Sequence, residues 1–390
     1  MKLTVVGAGT AGCFTALYCA WYGRKHGLEV EVLYDPDIPP EPVGQATLLT
    51  PPQLLFQTHG FNWYKNPIHA KFKTGILYKG WGNKEEHFHE FPGDSVAMHY
   101  CPHEVQNYIL DTELFKTKET SNLNIDSVDS DYVFDCRGKP DDESMDDYDP
   151  LMCPVNSVLL GRPNFEFTNQ NWSEHVATPH GWTFVIPADK SSPAFSGCIG
   201  YLYNKDITSR EEAEENFQEM FDVTITAHKE FKNYVAKEPV TNGGRVLKNG
   251  NRLFFLEPLE STATEAYIQW ADNALYNIIL KDNEGPLHSK LKWREPTEKM
   301  IRYIDKLQNF ALLHYSQGSK YNTPFWHHAQ KLSSEVFDGE LEDMLDYSRS
   351  TSRWDIVGAD KSDMIPYAQW AQHSIKNWTE LMDYEPCHTI

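Results

Sequence analysis

The chain has 390 residues, 40% of them hydrophobic and 13% aromatic, which is the make-up of a folded globular protein with one large core or two modest ones. Its formal net charge of −21 argues against nucleic acid, whose phosphates demand clustered Lys and Arg, and equally against an anionic membrane surface. Seven cysteines, odd in number and without CxxC spacing, indicate neither a disulfide framework nor a zinc site and suit a reducing cytoplasm.

Lys2–Val6 is a short apolar run rich in β-branched residues and reads as a buried parallel strand. Gly7-Ala8-Gly9-Thr10-Ala11-Gly12 follows, then a helical stretch to about Tyr22. These glycines, and the lack of a cleavage site, argue against reading residues 2–22 as a signal peptide. No other segment is long and apolar enough to span a bilayer, so a soluble, cytoplasmic protein is expected. Leu28–Tyr34 alternates apolar residues with Glu and reads as the second strand of a βαβ unit. Leu77–Phe91, residues 164–170 and residues 182–203 look strand-like and suggest a second sheet. Tyr132–Cys136 reads as a further buried strand ending in a turn at Gly138. Ser209–Phe221 has the pattern of an amphipathic helix, and Glu260–Leu280 and Leu291–Tyr315 are also helical. The tail after residue 330 mixes helical and polar stretches and has no clear assignment. No repeat or low-complexity linker divides the chain, which favours one interwoven unit.

Gly7-x-Gly9-x-x-Gly12 carries a specific physical meaning. Gly7 permits a tight turn, Gly9 lets backbone approach a pyrophosphate, and Gly12 lets helix and strand pack closely. Thr10 and Ala11 lie inside this loop, at the helix N-terminus that faces the phosphates. The acid usual at the end of the second strand is displaced: Tyr34 holds that place and Asp35 comes next. Asp35 is open to two readings, a ribose ligand or a cap for the turn before Pro36. The loop alone does not separate FAD from NAD.

Further segments do. Val43-Gly44-Gln45-Ala46-Thr47, Phe72-Lys73-Thr74-Gly75-Ile76, Gly181-Trp182-Thr183-Phe184-Val185-Ile186-Pro187 and Phe255-Leu256-Glu257-Pro258-Leu259-Glu260-Ser261-Thr262 occur in the order seen in flavin-dependent tryptophan halogenases. Thr208-Ser209-Arg210 and Thr323-Pro324-Phe325-Trp326 add weaker matches. The resemblance runs with gaps from residue 1 to about 326, and its compactness is similar to that of phage-encoded members. It implies an α/β, FAD-binding Rossmann-like fold with an interleaved β-sheet substrate region and C-terminal helices. FAD-binding segments would fall at about 1–60, 120–140 and 240–285, substrate-side segments at about 61–119 and 150–239, and a mostly helical C-terminal region at about 286–390.

By the same resemblance the protein would use reduced FAD, dioxygen and a halide to form hypohalous acid, which travels through a tunnel to an electron-rich aromatic substrate. Lys73 matches the lysine that holds this oxidant or forms a haloamine with it, and Glu260 matches the glutamate that orients it and accepts the arene's proton. Gly44, Gln45, Ala46 and Thr47 fall where FAD is contacted, with Gln45 standing where Glu is common. Ser261, Thr262 and Ala263 match the halide site; Ala263 replaces a usual Gly, which leaves chloride, bromide and iodide open. His89 and Phe91 fall where substrate is sandwiched, while Trp182 and Phe184 would keep it off the flavin. His87-x-His89 offers two imidazoles on one strand face, but no further ligand cluster accompanies it and no metal is expected. The Gly-Asp pair common before the Glu-Pro-Leu-Glu segment is missing. A separate flavin reductase is the implied partner, and a homo-oligomer is left open. The rivals are a flavin-dependent aromatic hydroxylase, which has no need of Lys73, and a non-catalytic flavin-binding protein.

Overall fold

The structure, a computed structural model, describes residues 1–41, 43–91, 95–121, 123–167, 169–281 and 293–336, together with 374, 377 and 378. Its seven α-helices among these residues are α1 (Thr10–Gly23), α2 (Thr50–His59), α3 (Pro102–Leu110), α4 (Arg210–Met220), α5 (Ala263–Ala274), α6 (Arg294–Ser316) and α7 (Pro324–Val336).

The opening βαβ unit forms as its pattern dictates. Lys2–Val6 pairs in parallel with Glu29–Tyr34 on one side and Tyr132–Asp135 on the other. Val246–Lys248 and Lys116–Glu119 extend this sheet in parallel, and Val240–Thr241 closes one edge antiparallel. The glycines act at close quarters. A Cβ on Gly12 would lie 1.8 Å from the Gly7 carbonyl oxygen, and Gly7 has φ +102 against the Cys136 backbone. Helices α1 and α5 pack together beneath this sheet, around a core that includes Phe14, Leu17, Phe134 and Trp270.

The second sheet has seven strands, ordered Val223–Glu230, Ser157–Pro163, Cys198–Tyr203, Gly181–Ile186, Ser173–Thr178, Gly75–Lys79 and Glu86–Glu90. Most neighbours are antiparallel; Ser173–Thr178 and Gly75–Lys79 run parallel. Its core joins α6 and α7 through Trp81, Trp182, Phe310, Tyr315 and Trp326. A small sheet of Gln45–Ala46, Ala97–Tyr100 and Lys71–Lys73 sits between the two bodies. The mixed α/β architecture matches that of the FAD-binding Rossmann-like proteins.

Several expectations change. Residues 164–170 form no strand among the described residues; they link Ser157–Pro163 to Ser173–Thr178, with Asn169 at φ 50, a conformation that interrupts extended backbone. Leu77–Phe91 and 182–203 are each two strands joined by a connection. Lys116–Glu119, expected on the substrate side, pairs with Glu29–Tyr34, and α3 just before it packs on α1. The helix expected from Glu260 begins at Ala263, because Ser261 has φ 56 and breaks the helical path. Ser209–Phe221 does become a helix, closed by a reciprocal capping box between Ser209 and Glu212. No described helix is long and apolar enough to cross a membrane.

Candidate active site

The phosphate loop fits a dinucleotide on structural grounds. A Cβ at Gly9 would meet nothing within 4 Å, so backbone there faces open space at the start of α1. Gly9 caps α1 without a side-chain hydrogen bond, which leaves first-turn amides for an anion. Thr10 donates from Oγ1 to Gln45 Oε1 at 3.0 Å, and Tyr100 donates to the same oxygen at 2.6 Å. Residues 44–47 are thereby tied to the loop. Gly44 lies hard against the Phe195 ring, where a Cβ would sit 1.9 Å from Cζ. Gly250, with φ +64, abuts Ala11, and Asn249 donates to Thr15 Oγ1 at 2.9 Å, so this turn is held against α1. Asp35 Oδ1 accepts from the Asp37 amide at 3.0 Å, which is the turn-capping geometry.

Lys73 lies on the short strand Lys71–Lys73, whose alternation runs opposite to hydrophobicity. Phe72 points outward onto Trp63, ring centroids 4.1 Å apart, and Lys73 points inward with 0% exposure. Its Nζ donates to Ser261 Oγ at 2.9 Å and to the Thr47 carbonyl at 3.3 Å, both neutral oxygens. Burial pushes the ammonium down to about 7, with Glu260 pulling the other way. The Phe91 ring lies 5.4 Å from the same nitrogen.

The segment Glu257-Pro258-Leu259-Glu260-Ser261 turns sharply, the Ser261 amide donating to the Pro258 carbonyl at 3.0 Å. Two buried carboxylates leave this turn in different directions. Glu260 Oε1 accepts from Tyr78 Oη at 2.6 Å, faces His314 Nε2 at 2.7 Å and accepts from Ser374 Oγ at 3.0 Å. Burial would raise its carboxyl, but the hydrogen bonds and nearby charge of His314, with His89 and Tyr78, outweigh it and hold Glu260 well below the ordinary carboxylate range. Glu257 accepts from Tyr315 Oη at 2.5 Å and from Trp182 Nε1 at 3.3 Å. Its burial dominates and pushes it up to about 7.

The structure thus brings Thr47, Lys73, Glu260, Ser261 and Phe91 together. His89 is buried nearby on Glu86–Glu90, its Nδ1 2.9 Å from Asn377 Nδ2. Trp182 is fully buried and also donates to Tyr315 at 2.7 Å, while Phe184 packs over Gly200 in the same core. Thr262 makes no side-chain cap, so the amides of Ala263 and Thr264 keep their free helix-start geometry, whereas the Ser261 amide is spent on Pro258. Among the described residues no group of three His, Cys, Asp or Glu is placed to hold a metal.

Sequence reasoning missed Tyr78, His314, Ser374, Asn377 and Trp378. Tyr78 and His314 occupy apolar positions in regular elements, so the only signal was a polar group on a core face. The last three come from the tail that had no assignment.

Residues 2–138 and 143–374 match the family described as tryptophan halogenase. A tryptophan 6-halogenase, SttH from Streptomyces toxytricini, is 22% identical over 221 residues, covering 56% of this chain and 37% of that protein's length. Among solved structures, BrvH, a flavin-dependent halogenase from Brevundimonas sp. BAL3, superposes with a TM-score of 0.74 at 15% identity, over 99% of this chain and 91% of that one. A tryptophan halogenase from Shewanella frigidimarina NCIMB 400 gives 0.75 at 15% identity, over 100% and 90%. With a fold shared with these proteins and a family match that spans both sheets, the chain belongs to the tryptophan halogenase family.

Proposed function

We propose that this protein is a flavin-dependent halogenase that passes an oxidised halide by way of Lys73 to a small electron-rich aromatic ring. The observation that carries the proposal is a fully buried lysine whose Nζ meets, among the described residues, the neutral oxygens of Ser261 and Thr47, in one site with the buried carboxyl of Glu260. Burying an amine in this way is costly, and a packing role does not call for it.

Gly7, Gly9 and Gly12, with Thr10 and Ala11, would hold the FAD pyrophosphate; residues 44–47 would flank it, and Asp35 would reach the ribose with its second oxygen. Bound reduced FAD would supply two electrons to dioxygen, which takes the other two from halide, so that one oxygen atom ends in hypohalous acid and the other in water. The Thr262 hydroxyl and the amides of Ala263 and Thr264 suit a halide, a small anion at a helix start. Lys73 then holds hypohalous acid by hydrogen bond, or forms a haloamine with it, a role a compact amine performs and a guanidinium does not. In the transfer step a ring carbon–halogen bond forms and the halogen–oxygen bond breaks or, from the haloamine, which forms with loss of water, the halogen–nitrogen bond breaks and the amine is restored. The ring proton goes to Glu260, and the hydroxide leaves as water after taking up a proton. His89 and Phe91 would face the ring, and Trp182 and Phe184 would wall it off from the flavin. A separate flavin reductase would supply the reduced cofactor.

The test is mass spectrometry of mixed phenols and indoles incubated with protein, FAD, a flavin reductase, NADH and chloride, bromide or iodide in turn, with a scavenger for free hypohalous acid. Halogenated product is expected from the parent and not from Lys73→Ala, while both consume oxygen alike. Equal, scavenger-resistant product from the two proteins would refute the role of Lys73; hydroxylated product in place of halogenated product would point to the hydroxylase.

A further inference from the structure

His314 lies on α6 with no solvent exposure, and each of its ring nitrogens faces an oxygen. Nδ1 is 2.9 Å from the Phe310 carbonyl, one helical turn back, and Nε2 is 2.7 Å from Glu260 Oε1. A carbonyl oxygen only accepts, so Nδ1 carries a proton. A neutral imidazole has just that one N–H and would turn its Nε2 lone pair on the carboxylate oxygen. Two bare acceptors at 2.7 Å repel, so a second proton lies between them. The same Oε1 also accepts from Tyr78 and Ser374, and donors to a carboxylate favour its ionised form. The second proton therefore belongs to the ring.

The surroundings suit a cation. Trp378, Phe310 and Tyr78 surround the imidazole, with centroids 4.5, 5.0 and 5.6 Å away. The other titratable groups facing the pair are Lys73 on Lys71–Lys73, Tyr78 on Gly75–Lys79, His87 and His89 on Glu86–Glu90, and His175 on Ser173–Thr178. Burial holds His175 well below the ordinary imidazole value and His87 at about 4, so neither supplies a charge near neutrality.

We propose that His314, carrying both ring protons, is the positioning residue that keeps Glu260 ionised and aimed for its part in halogenation. The role rests on the halogenase reading; the protonation of the pair does not. His314 acts through Glu260 and so is no catalytic residue itself.

The charge is read directly by ¹⁵N NMR of histidine-labelled protein, with His314 assigned by its absence from His314→Gln. A ring with both nitrogens protonated is expected in the parent, and should lose its second proton in Glu260→Gln. A singly protonated His314 ring at pH 6 in the parent would overturn the proposal, and this measurement needs no folded His314 variant once Glu260→Gln identifies the signal. The role is read by pH profile. His314→Gln, which can still donate to Glu260 but has no charge, should lose at least tenfold in product formation at pH 7. Its acid limb should rise by roughly 1–3 pH units, the usual effect of one close charge, so that activity recovers at higher pH. Oxygen consumption with reduced flavin should stay level. A loss that is independent of pH would mean mere packing and overturn the role. A doubly protonated ring in a parent that makes no halogenated product would sink the halogenase reading and leave the ion pair standing.

Discussion

Lys73→Met should destroy halogenation and at the same time make the protein more stable. Burial lowers the Lys73 ammonium from 10.5 to about 7, and the side chain has no exposure. A gap of one pH unit between folded and unfolded chains is worth about 1.4 kcal/mol, so holding this amine costs on the order of 4 kcal/mol at pH 7. Methionine has a similar reach and no charge, but gives up the bonds to Ser261 Oγ and the Thr47 carbonyl, worth about 1 kcal/mol each. A net gain of about 2 kcal/mol remains.

The pH dependence is the sharper signature. Between pH 7 and 10.5 the unfolded chain holds a proton that folded Lys73 has released, so the parent's stability rises with pH through this window. The variant lacks that slope, and its advantage should be largest at or below pH 7 and fade toward pH 10. Equilibrium urea unfolding at about pH 6.5, 8 and 9.5 would measure both. A parent more stable than Lys73→Met at pH 6.5, or a difference that does not change with pH, would refute the reasoning.

Glu257→Gln should remove an opposite slope: burial lifts Glu257 from 4.5 to about 7, so the folded chain holds the extra proton and parental stability falls by up to about 3 kcal/mol as pH rises through that window, which the same unfolding series would show. Gly12→Ala places a Cβ 1.8 Å from the Gly7 oxygen and should cost more than about 2 kcal/mol and abolish FAD binding, followed by denaturation and flavin fluorescence. FAD binding to the parent should be detectable but loose, because on the proposed function the cofactor exchanges with a reductase; a fluorescence titration without any response to oxidised or reduced FAD would sink the flavoenzyme reading. Trp378→Ala empties a buried ring site beside Tyr78 and His314 and should broaden the range of arenes halogenated, read by a substrate screen.

The opening βαβ unit was legible because its signals are local. Glycine spacing, a β-branched strand before it and a helix after it state the same answer within some thirty residues. The site was legible only where a motif marked it. Lys71-Phe72-Lys73 by periodicity alone would bury the phenylalanine; the structure buries the lysine, a local conflict of the kind found where function overrides packing. His314 could be read as buried, since it continues the inward face through Tyr303, Leu307 and Phe310. Its partner could not, because Glu260 lies 54 positions away, and Tyr78 and Ser374 reach the same oxygen from 182 and 114 positions. Such pairings are set by how the two sheets and α6 meet, which no window of sequence contains.

One turn thereby gives two glutamates opposite characters. Glu257 and Glu260 are three residues apart and almost equally buried, so desolvation acts on both alike. Among the described residues Glu257 is met by neutral donors, Tyr315, Trp182 and Cys153, and burial prevails. Glu260 receives neutral donors too, but adds His314, and there the balance reverses. When like groups are driven apart by their surroundings, the surroundings assign their work. On the proposed function the carboxylate kept ionised is the one that takes the ring proton, whereas one that holds its proton near neutrality braces Tyr315 and Trp182 behind the site. Pro258 and the left-handed Ser261 make this separation possible, since a regular helix would have placed residues three apart on one face.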